Sequence, residues 1–121
     1  MKLLNVCKAK LNKCIVTESK SNYSGSLTVD QEILERLNIY NYEKILVVNL
    51  SNGKRFETYA ISGEYGSRTI GLNGGAAHMG KVGDIIGFVA FASIEEEEIV
   101  NFKPKVIEIT EEGKIKVIKQ K

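Results

Sequence analysis

Lys44-Ile45-Leu46-Val47-Val48-Asn49-Leu50-Ser51-Asn52-Gly53-Lys54-Arg55-Phe56-Glu57-Thr58-Tyr59-Ala60-Ile61 is the stretch on which the fold turns. From Lys44 to Leu50 it is a continuous run of β-branched and aliphatic residues, which reads as a buried strand. Asn52-Gly53 is the strongest hairpin signal in the chain, and Lys54 to Ile61 returns as the partner strand. Strand alternation puts Arg55, Glu57, Tyr59 and Ile61 on one face, and Lys54, Phe56, Thr58 and Ala60 on the other. Arg55 and Tyr59 therefore share a surface, about 13 Å apart at their Cα atoms. A guanidinium can grip a carboxylate with two parallel hydrogen bonds, and a phenol can deliver a proton.

On the amino-terminal side, residues 3–7 and 11–17 are rich in Leu, Val, Ile and Cys, with Lys8, Lys10 and Lys13 between them. That pattern predicts two strands or one long bent strand. Glu18 to Ser26 is polar and turn-rich. After Leu27-Thr28-Val29, Asp30 is placed to cap a short helix over Gln31 to Leu37, with Ile33, Leu34 and Leu37 on one face; Asn38 can end it. On the carboxy-terminal side, Gly63 to Ser67 reads as a turn and Arg68 to Leu72 as a short strand. Gly71 through Gly80 holds four of the eleven glycines, so its backbone can come close to a ligand. Ile85 to Ala92 reads as a strand, and Glu95 to Glu98 as a solvated helix start or loop. Val106 to Ile109 and Ile115 to Ile118 flank Glu112-Gly113 as a second hairpin. Short strands at close spacing with one or two short helices predict a mainly-β chain folded as a small barrel.

Composition sets limits. A chain of 121 residues is most simply one domain, and 43% hydrophobic with 26% charged residues is the balance of a soluble globular protein. A net charge of +2 gives no call for a nucleic-acid partner. No span approaches the ~20 apolar residues of a membrane helix, and the opening Met1-Lys2-Leu3-Leu4-Asn5-Val6-Cys7 lacks the apolar core of a signal peptide. The expectation is a cytoplasmic protein with no membrane partner. Cys7 and Cys14 are followed by no Cys or His until His78, so no metal-ligand spacing is present and two buried thiols are expected. A single histidine also argues against a Ser-His-Asp triad.

The segment Asn22-Tyr23-Ser24-Gly25-Ser26 is a small-residue break between the strand-like start and the patterned remainder. Gly25 can take conformations closed to other residues, and the Ser26 hydroxyl follows its carbonyl directly along the chain. A strained peptide there can undergo an N-to-O acyl shift. Together with Lys10, with Lys54-Arg55-Phe56-Glu57-Thr58-Tyr59 and with Asn73-Gly74-Gly75-Ala76-Ala77-His78, this segment resembles the pyruvoyl-dependent aspartate 1-decarboxylase family. The resemblance runs from about Lys10 to Ser93, in the same order and with matching gaps. A Gly-Ser pair is common in ordinary turns, and Lys10, Arg55, Tyr59 and Asn73 are each unremarkable alone; the specificity lies in the four segments together.

The resemblance implies a double-psi β-barrel, a single domain over 1–121 that cuts itself between Gly25 and Ser26 into chains 1–25 and 26–121. It implies that Ser26 becomes a covalent pyruvoyl cofactor, that Gly25 supplies the new carboxyl terminus, and that Thr58 assists the processing. Tyr59 takes the place of the proton donor, and Arg55 with Lys10 that of the substrate-carboxylate clamp. Asn73 and the Gly74, Gly75, Ala76 and Ala77 backbone take that of the loop holding carbonyl oxygens. The implied reaction converts L-aspartate to β-alanine and CO2 through an imine on the pyruvoyl group, supplying β-alanine for pantothenate and coenzyme A biosynthesis. It also implies a homo-oligomer, a tetramer, with each site at a subunit boundary, and leaves room for a maturation helper protein. Thr58 faces away from Arg55 and Tyr59, so a role at the same site needs a strand bend or a subunit boundary. One departure stands out: Asn12 occupies a position where a histidine is expected two residues after the strand lysine.

A different class remains open at this point. Ser26 to Val48, with a strand, a capped helix and a returning strand, also looks like the swapped-hairpin DNA-binding domains of small bacterial regulators. Against it, Lys and Arg are scattered along the chain rather than gathered on one element. A purely structural, non-catalytic barrel is the other alternative.

Overall fold

The computed structural model describes residues 1–120. Among these residues nine strands carry the architecture: β1 (Leu3–Ile15), β2 (Glu18–Lys20), β3 (Ser26–Asp30), β4 (Lys44–Asn49), β5 (Arg55–Gly63), β6 (Ile70–Asn73), β7 (Ile85–Glu95), β8 (Lys105–Ile109) and β9 (Ile115–Ile118). One α-helix, α1 (Gln31–Leu37), follows β3, and 3₁₀ turns span Gly74–His78 and Glu96–Asn101. The strand order is β2-β6-β3-β5-β4-β7-β1-β8-β9. β3 with β5, β2 with β6, and β1 with β8 pair in parallel; the remaining neighbours are antiparallel.

No ladder joins β1 to β6, yet the run from β6 to β1 is brought round on itself by the chain. β1 passes through Val16 and Thr17 directly into β2, which lies beside β6. At that crossing the Thr17 N–H donates to the Ile70 carbonyl at 2.8 Å, and the Ile70 N–H donates back to Thr17 Oγ1 at 2.9 Å. The sheet therefore wraps one core, in which Leu11, Leu27, Val29, Ile45, Val47, Ile70, Leu72, Ile86 and Phe88 are buried together. This is the small, mainly-β barrel predicted from the strand spacing.

Local chemistry accounts for the elements. β1 is one strand, bent by register shifts between Cys7 and Ala9 and between Leu11 and Cys14. At the second shift a Cβ on Gly87 of β7 would fall 2.7 Å from the carbonyl oxygens of Leu11 and Asn12, so only glycine lets the bent strand lie this close. The seven residues of α1 are too few to be helical by propensity. They are held by burying Ile33, Leu34 and Leu37, each such burial contributing about 1.5–3 kcal/mol, and by caps at both ends. Asp30 Oδ1 accepts from the Glu32 N–H at 2.8 Å, and Asn38 closes the helix in the left-handed region at φ 55°.

The Asp30 carboxylate does more than cap. It also accepts from the Gly66 and Arg68 N–H groups at 2.8 and 2.6 Å and from Arg68 Nη1 at 2.9 Å, tying β3 to the turn before β6. Burial on its own would raise its pKa; the N–H donors of Arg68, Glu32 and Gly66 and the Arg68 guanidinium together hold it below the usual carboxylate value.

The hairpin read at Asn52-Gly53 is present, while two other expectations are corrected in detail. At the hairpin the Asn49 N–H donates to the Lys54 carbonyl and the Gly53 N–H to the Asn49 carbonyl, both at 2.8 Å, closing a four-residue loop with only Gly53 at positive φ. The Asn49 side chain stabilises that loop by accepting from Ser51 and Asn52. β4 is alternately rather than continuously buried, because only one of its faces meets the core. Cys14 is buried but Cys7 only partly so, and both are free thiols.

Candidate active site

The wall formed by β6, β3 and β5 carries two kinds of side chain. Leu27, Val29, Ile70, Leu72 and Ala60 point into the core, so alternation turns Ser26, Thr28, Asn73 and Tyr59 to the opposite side. There Ser26 pairs with Asn73 across the antiparallel β3–β6 ladder, and Lys20 of β2 pairs with Asn73 on its other side. The β3–β5 ladder opens at Leu27 and Ala60, so Ser26 and Tyr59 are the residues immediately before it on adjacent strands. Residues 20, 73, 26 and 59, far apart in sequence, thus form one row across the outer face.

At its centre the Asn73 amide joins two hydroxyls: Nδ2 donates to Ser26 Oγ at 2.9 Å and to Thr28 Oγ1 at 2.7 Å. Both amide protons are used, which fixes the amide plane. Asn73 Oδ1 is buried and has no partner among the described residues. An acceptor in that condition is costly unless something reaches it, so the row holds a vacant hydrogen-bonding position beside a buried serine that is 4% exposed.

The loop before Ser26 is held from above. Gly74, the first residue of the 3₁₀ turn, sits at φ +59°, and a Cβ there would fall 2.6 Å from the Tyr23 carbonyl oxygen, 2.7 Å from the Gly25 nitrogen and 2.8 Å from Gly25 Cα. The special backbone conformation expected at Gly25 is found at Gly74 instead: Gly25 itself is not at positive φ, and a Cβ on it would meet nothing within 4 Å. Ala76 is buried, Gly75 and His78 are exposed, and Ala77 is in between.

Alternation along β5 follows the expected pattern. Arg55, Glu57 and Tyr59 are outward and exposed, while Phe56 and Ala60 face the core and Thr58 is half-buried on their side. Arg55 lies four residues from Tyr59 and lines a surface groove with Lys44, Leu46, Glu57 and Phe91. Lys10 is exposed on β1, three strands away: Lys10 pairs with Val89, Val89 with Leu46, and Leu46 with Glu57. At the usual strand spacing that is about 14 Å between the Lys10 and Glu57 backbones. One chain thus brings Gly25, Ser26, Asn73, Gly74 and Tyr59 together, sets Arg55 along the same face, and leaves Lys10 and the Thr58 side chain apart. Asn12 is engaged with β8, its Nδ2 donating to Glu108 Oε2 at 3.3 Å.

Three residues at the site were not singled out beforehand. Thr28 was legible in principle, since two residues after Ser26 on a strand it shares its face. Lys20, whose pKa is raised by the hydrogen bond and charge of Glu18, places its ammonium 4.8 Å from the Tyr23 ring centre. Tyr42 brings its ring centre to 6.4 Å from that of Tyr59. The last two depend on pairings between distant segments that no local pattern announces.

At the Gly25–Ser26 junction a small barrel thus presents a buried serine, a glycine-clamped loop before it and a phenol on the neighbouring strand. The family model described as aspartate decarboxylase matches residues 1–116, and the chain belongs to that family. Proteins named aspartate 1-decarboxylase are similar to it along nearly their whole length. The one from Caldicellulosiruptor bescii is 46% identical over 112 residues, covering 93% of this chain and 88% of its own. That of Thermoanaerobacter pseudethanolicus is 48% identical over 107 residues, covering 88% and 92%. That of Leptospira biflexa is 44% identical over 115 residues, covering 94% and 98%.

Proposed function

We propose that this chain decarboxylates L-aspartate to β-alanine and CO2, the step that supplies β-alanine for pantothenate, using a pyruvoyl group formed from Ser26. The observation that carries the reading is the buried Ser26, hydrogen-bonded by Asn73 and preceded by a loop on which Gly74 rests, in a chain of the aspartate decarboxylase family. The site fits such a group: Asn73 Nδ2, which donates to Ser26 Oγ at 2.9 Å, is placed to donate to a carbonyl oxygen formed there, and the missing Cβ of Gly74 leaves the Gly25–Ser26 junction the space it occupies. Bound there, the group would supply an electron sink for the bond to the departing carboxylate.

The chain's own residues supply the rest. The Ser26 hydroxyl attacks the Gly25 carbonyl and takes its acyl bond over from the Ser26 nitrogen. The ester then loses Gly25 as a carboxylate while the Ser26 Cα gives up its proton, which separates residues 1–25 from 26–121, and water displaces the Ser26 nitrogen as ammonia to leave the ketone. Thr58, on the inner side of β5, assists that step only where the strand bends or a neighbouring copy meets it. Tyr59, next to Ser26 on the outer face, delivers a proton to the carbon that loses CO2. Arg55 holds the carboxylate that survives, since gripping the departing one would stabilise the ground state. The Gly74-Gly75-Ala76-Ala77 backbone borders the carbonyl oxygens.

A second copy of the chain completes the site. Arg55 and Tyr59 lie on an outer barrel face, Tyr59 being 36% exposed, and this chemistry needs water kept out. A neighbour covering the face also offers a route for Lys10, about 14 Å away within one chain, to reach a substrate carboxylate. A symmetric assembly, a tetramer, meets both needs.

The test is an intact-mass spectrum followed by product analysis on the same preparations. Wild type gives chains 1–25 and 26–121, the latter blocked at its amino terminus, and Ser26→Ala stays whole. Tyr59→Phe is cleaved but loses about 10²–10⁴-fold in β-alanine formation. A purified, aged and warmed wild-type sample that remains one 121-residue chain removes the self-processing reading.

A further inference from the structure

We propose that Tyr42 is a positioning residue for Tyr59, locking the phenol in place on an otherwise open barrel face. The inference rests on the reading of Tyr59 as proton donor, and it starts from an irregularity in the backbone. Tyr42 has φ +74°, in the left-handed region where a side chain with a Cβ is crowded by the chain and where glycine or asparagine is the usual occupant. A bulky residue persists there only where its surroundings over-determine it, and such places gather at functional sites.

The surroundings are explicit. The Tyr42 N–H donates to the Ala60 carbonyl at 2.7 Å and the Ala60 N–H donates to the Glu43 carbonyl at 2.9 Å. Both bonds fall on the residue directly after Tyr59. Glu43 is itself anchored: its carboxylate accepts from Lys8 Nζ at 2.9 Å, in a pair with both side chains about four-fifths covered, and from the Tyr40 N–H at 3.0 Å. β1, the loop after α1 and β5 are thereby fastened at one point. From that point the Tyr42 ring meets the Tyr59 ring at 6.4 Å between centres, with 40° between planes, within the range of favourable aromatic pairs.

The pairing has nothing to do with building the core. Tyr42 is 71% exposed, so its ring buries little, and its backbone conformation is one that asparagine would adopt with less strain. What the ring does accomplish is to cover one side of Tyr59. A phenol free to swing about χ1 samples rotamers that aim its hydroxyl along the barrel surface; a ring packed beside it removes some of them. In a reaction where the proton must arrive at one carbon from one direction, fewer rotamers mean a larger fraction of productive encounters.

The experiment uses Tyr42→Asn, which suits the left-handed backbone and deletes the ring, and Tyr42→Phe, which keeps the ring. Tyr59→Phe is measured alongside. Each protein is brought to complete cleavage, verified by intact mass, and then assayed for β-alanine formation and for its thermal midpoint. The expected result for Tyr42→Asn is a kcat about three- to tenfold lower, the factor corresponding to an aromatic pair's ordinary worth. KM should be unchanged and the thermal midpoint equal or higher. Tyr42→Phe should restore kcat. If Tyr59→Phe is crippled while Tyr42→Asn turns over like the wild type, the positioning role is overturned and the proton donor stands. A lowered kcat accompanied by a lowered midpoint and not restored by Tyr42→Phe makes Tyr42 a structural residue and also overturns the proposal. Wild-type turnover by Tyr59→Phe removes the proton-donor reading, and the inference with it.

Discussion

Replacing Gly74 with alanine puts one methyl group where the chain has left no room. Its Cβ would lie 2.6–2.8 Å from the Tyr23 carbonyl oxygen and from the nitrogen and Cα of Gly25, all backbone atoms that cannot rotate aside. The φ of +59° adds a left-handed penalty of about 1–2 kcal/mol for any residue with a Cβ. Relieving the contacts means moving the loop, an overpacking cost of about 1–3 kcal/mol, so the total is about 2–5 kcal/mol. The part that moves most easily is the segment 23–25, which has no regular structure. That shifts the Gly25 carbonyl away from the Ser26 hydroxyl, and a misplacement near 1 Å can cost about 10²-fold in rate. Gly75→Ala is the internal control: it lies one residue on, has open space around its Cβ position and is not at positive φ. A time course of intact mass at fixed temperature, with thermal midpoints of Ser26→Ala double variants to separate stability from cleavage, reads both effects. Cleavage of Gly74→Ala at the rate of Gly75→Ala would show that the contact between this turn and the junction has no bearing on processing.

Other expectations are more local. Asp30→Ala removes the acceptor of three backbone N–H groups, the capping one of Glu32 among them, and one of the two carboxylates that pair with Arg68, and should destabilise by about 3–5 kcal/mol in denaturant titration. Because the Asp30 pKa is lowered in the folded chain, its contribution is complete above the unfolded carboxylate value of about 3.9 and is lost as pH falls through the lower folded value. The gap between wild type and Asp30→Ala should be constant above about pH 5 and close below about pH 4; a gap that widens in acid would contradict the assignment. Thr28→Val leaves an Asn73 amide proton without its acceptor and should cost about 1–3 kcal/mol, while Thr28→Ser stays near wild type; equal stabilities would mean the bond carries nothing. Burial raises the pKa of both thiols and seals Cys14 at 2% exposure, so a thiol reagent should modify Cys7 in the folded protein and Cys14 only after unfolding, as mass mapping would show.

Local elements were readable where a local rule governs them. The hairpin of β4 and β5 follows from its turn residues and alternation, and α1 from Asp30, its three apolar positions and Asn38. The same alternation separated Thr58 from Arg55 and Tyr59 correctly. Partnerships across long sequence distances were not readable. The parallel pairing of β2 with β6 involves a three-residue polar strand, too short to show a period. Ser26 and Asn73 are 47 positions apart, and only the family resemblance suggested that they meet. The steric demand assigned to Gly25 belongs to Gly74 because the tight approach is made by the turn lying over the junction, an arrangement visible only once β3 and β6 are paired.

The passage of β1 through Thr17 into β2 has a consequence for the lifetime of the molecule. If the chain opens after Gly25, those two strands become a separate peptide, yet β1 stays between β7 and β8 and β2 stays along β6. The short piece is keyed into the wall and leaves only when the barrel opens. Before the cut, folding is a first-order event within one chain; after it, the unfolded pieces must find each other again, so recovery depends on concentration. Maturation would thus erase the protein's ability to refold alone, and its persistence in use would be governed by how slowly the barrel opens.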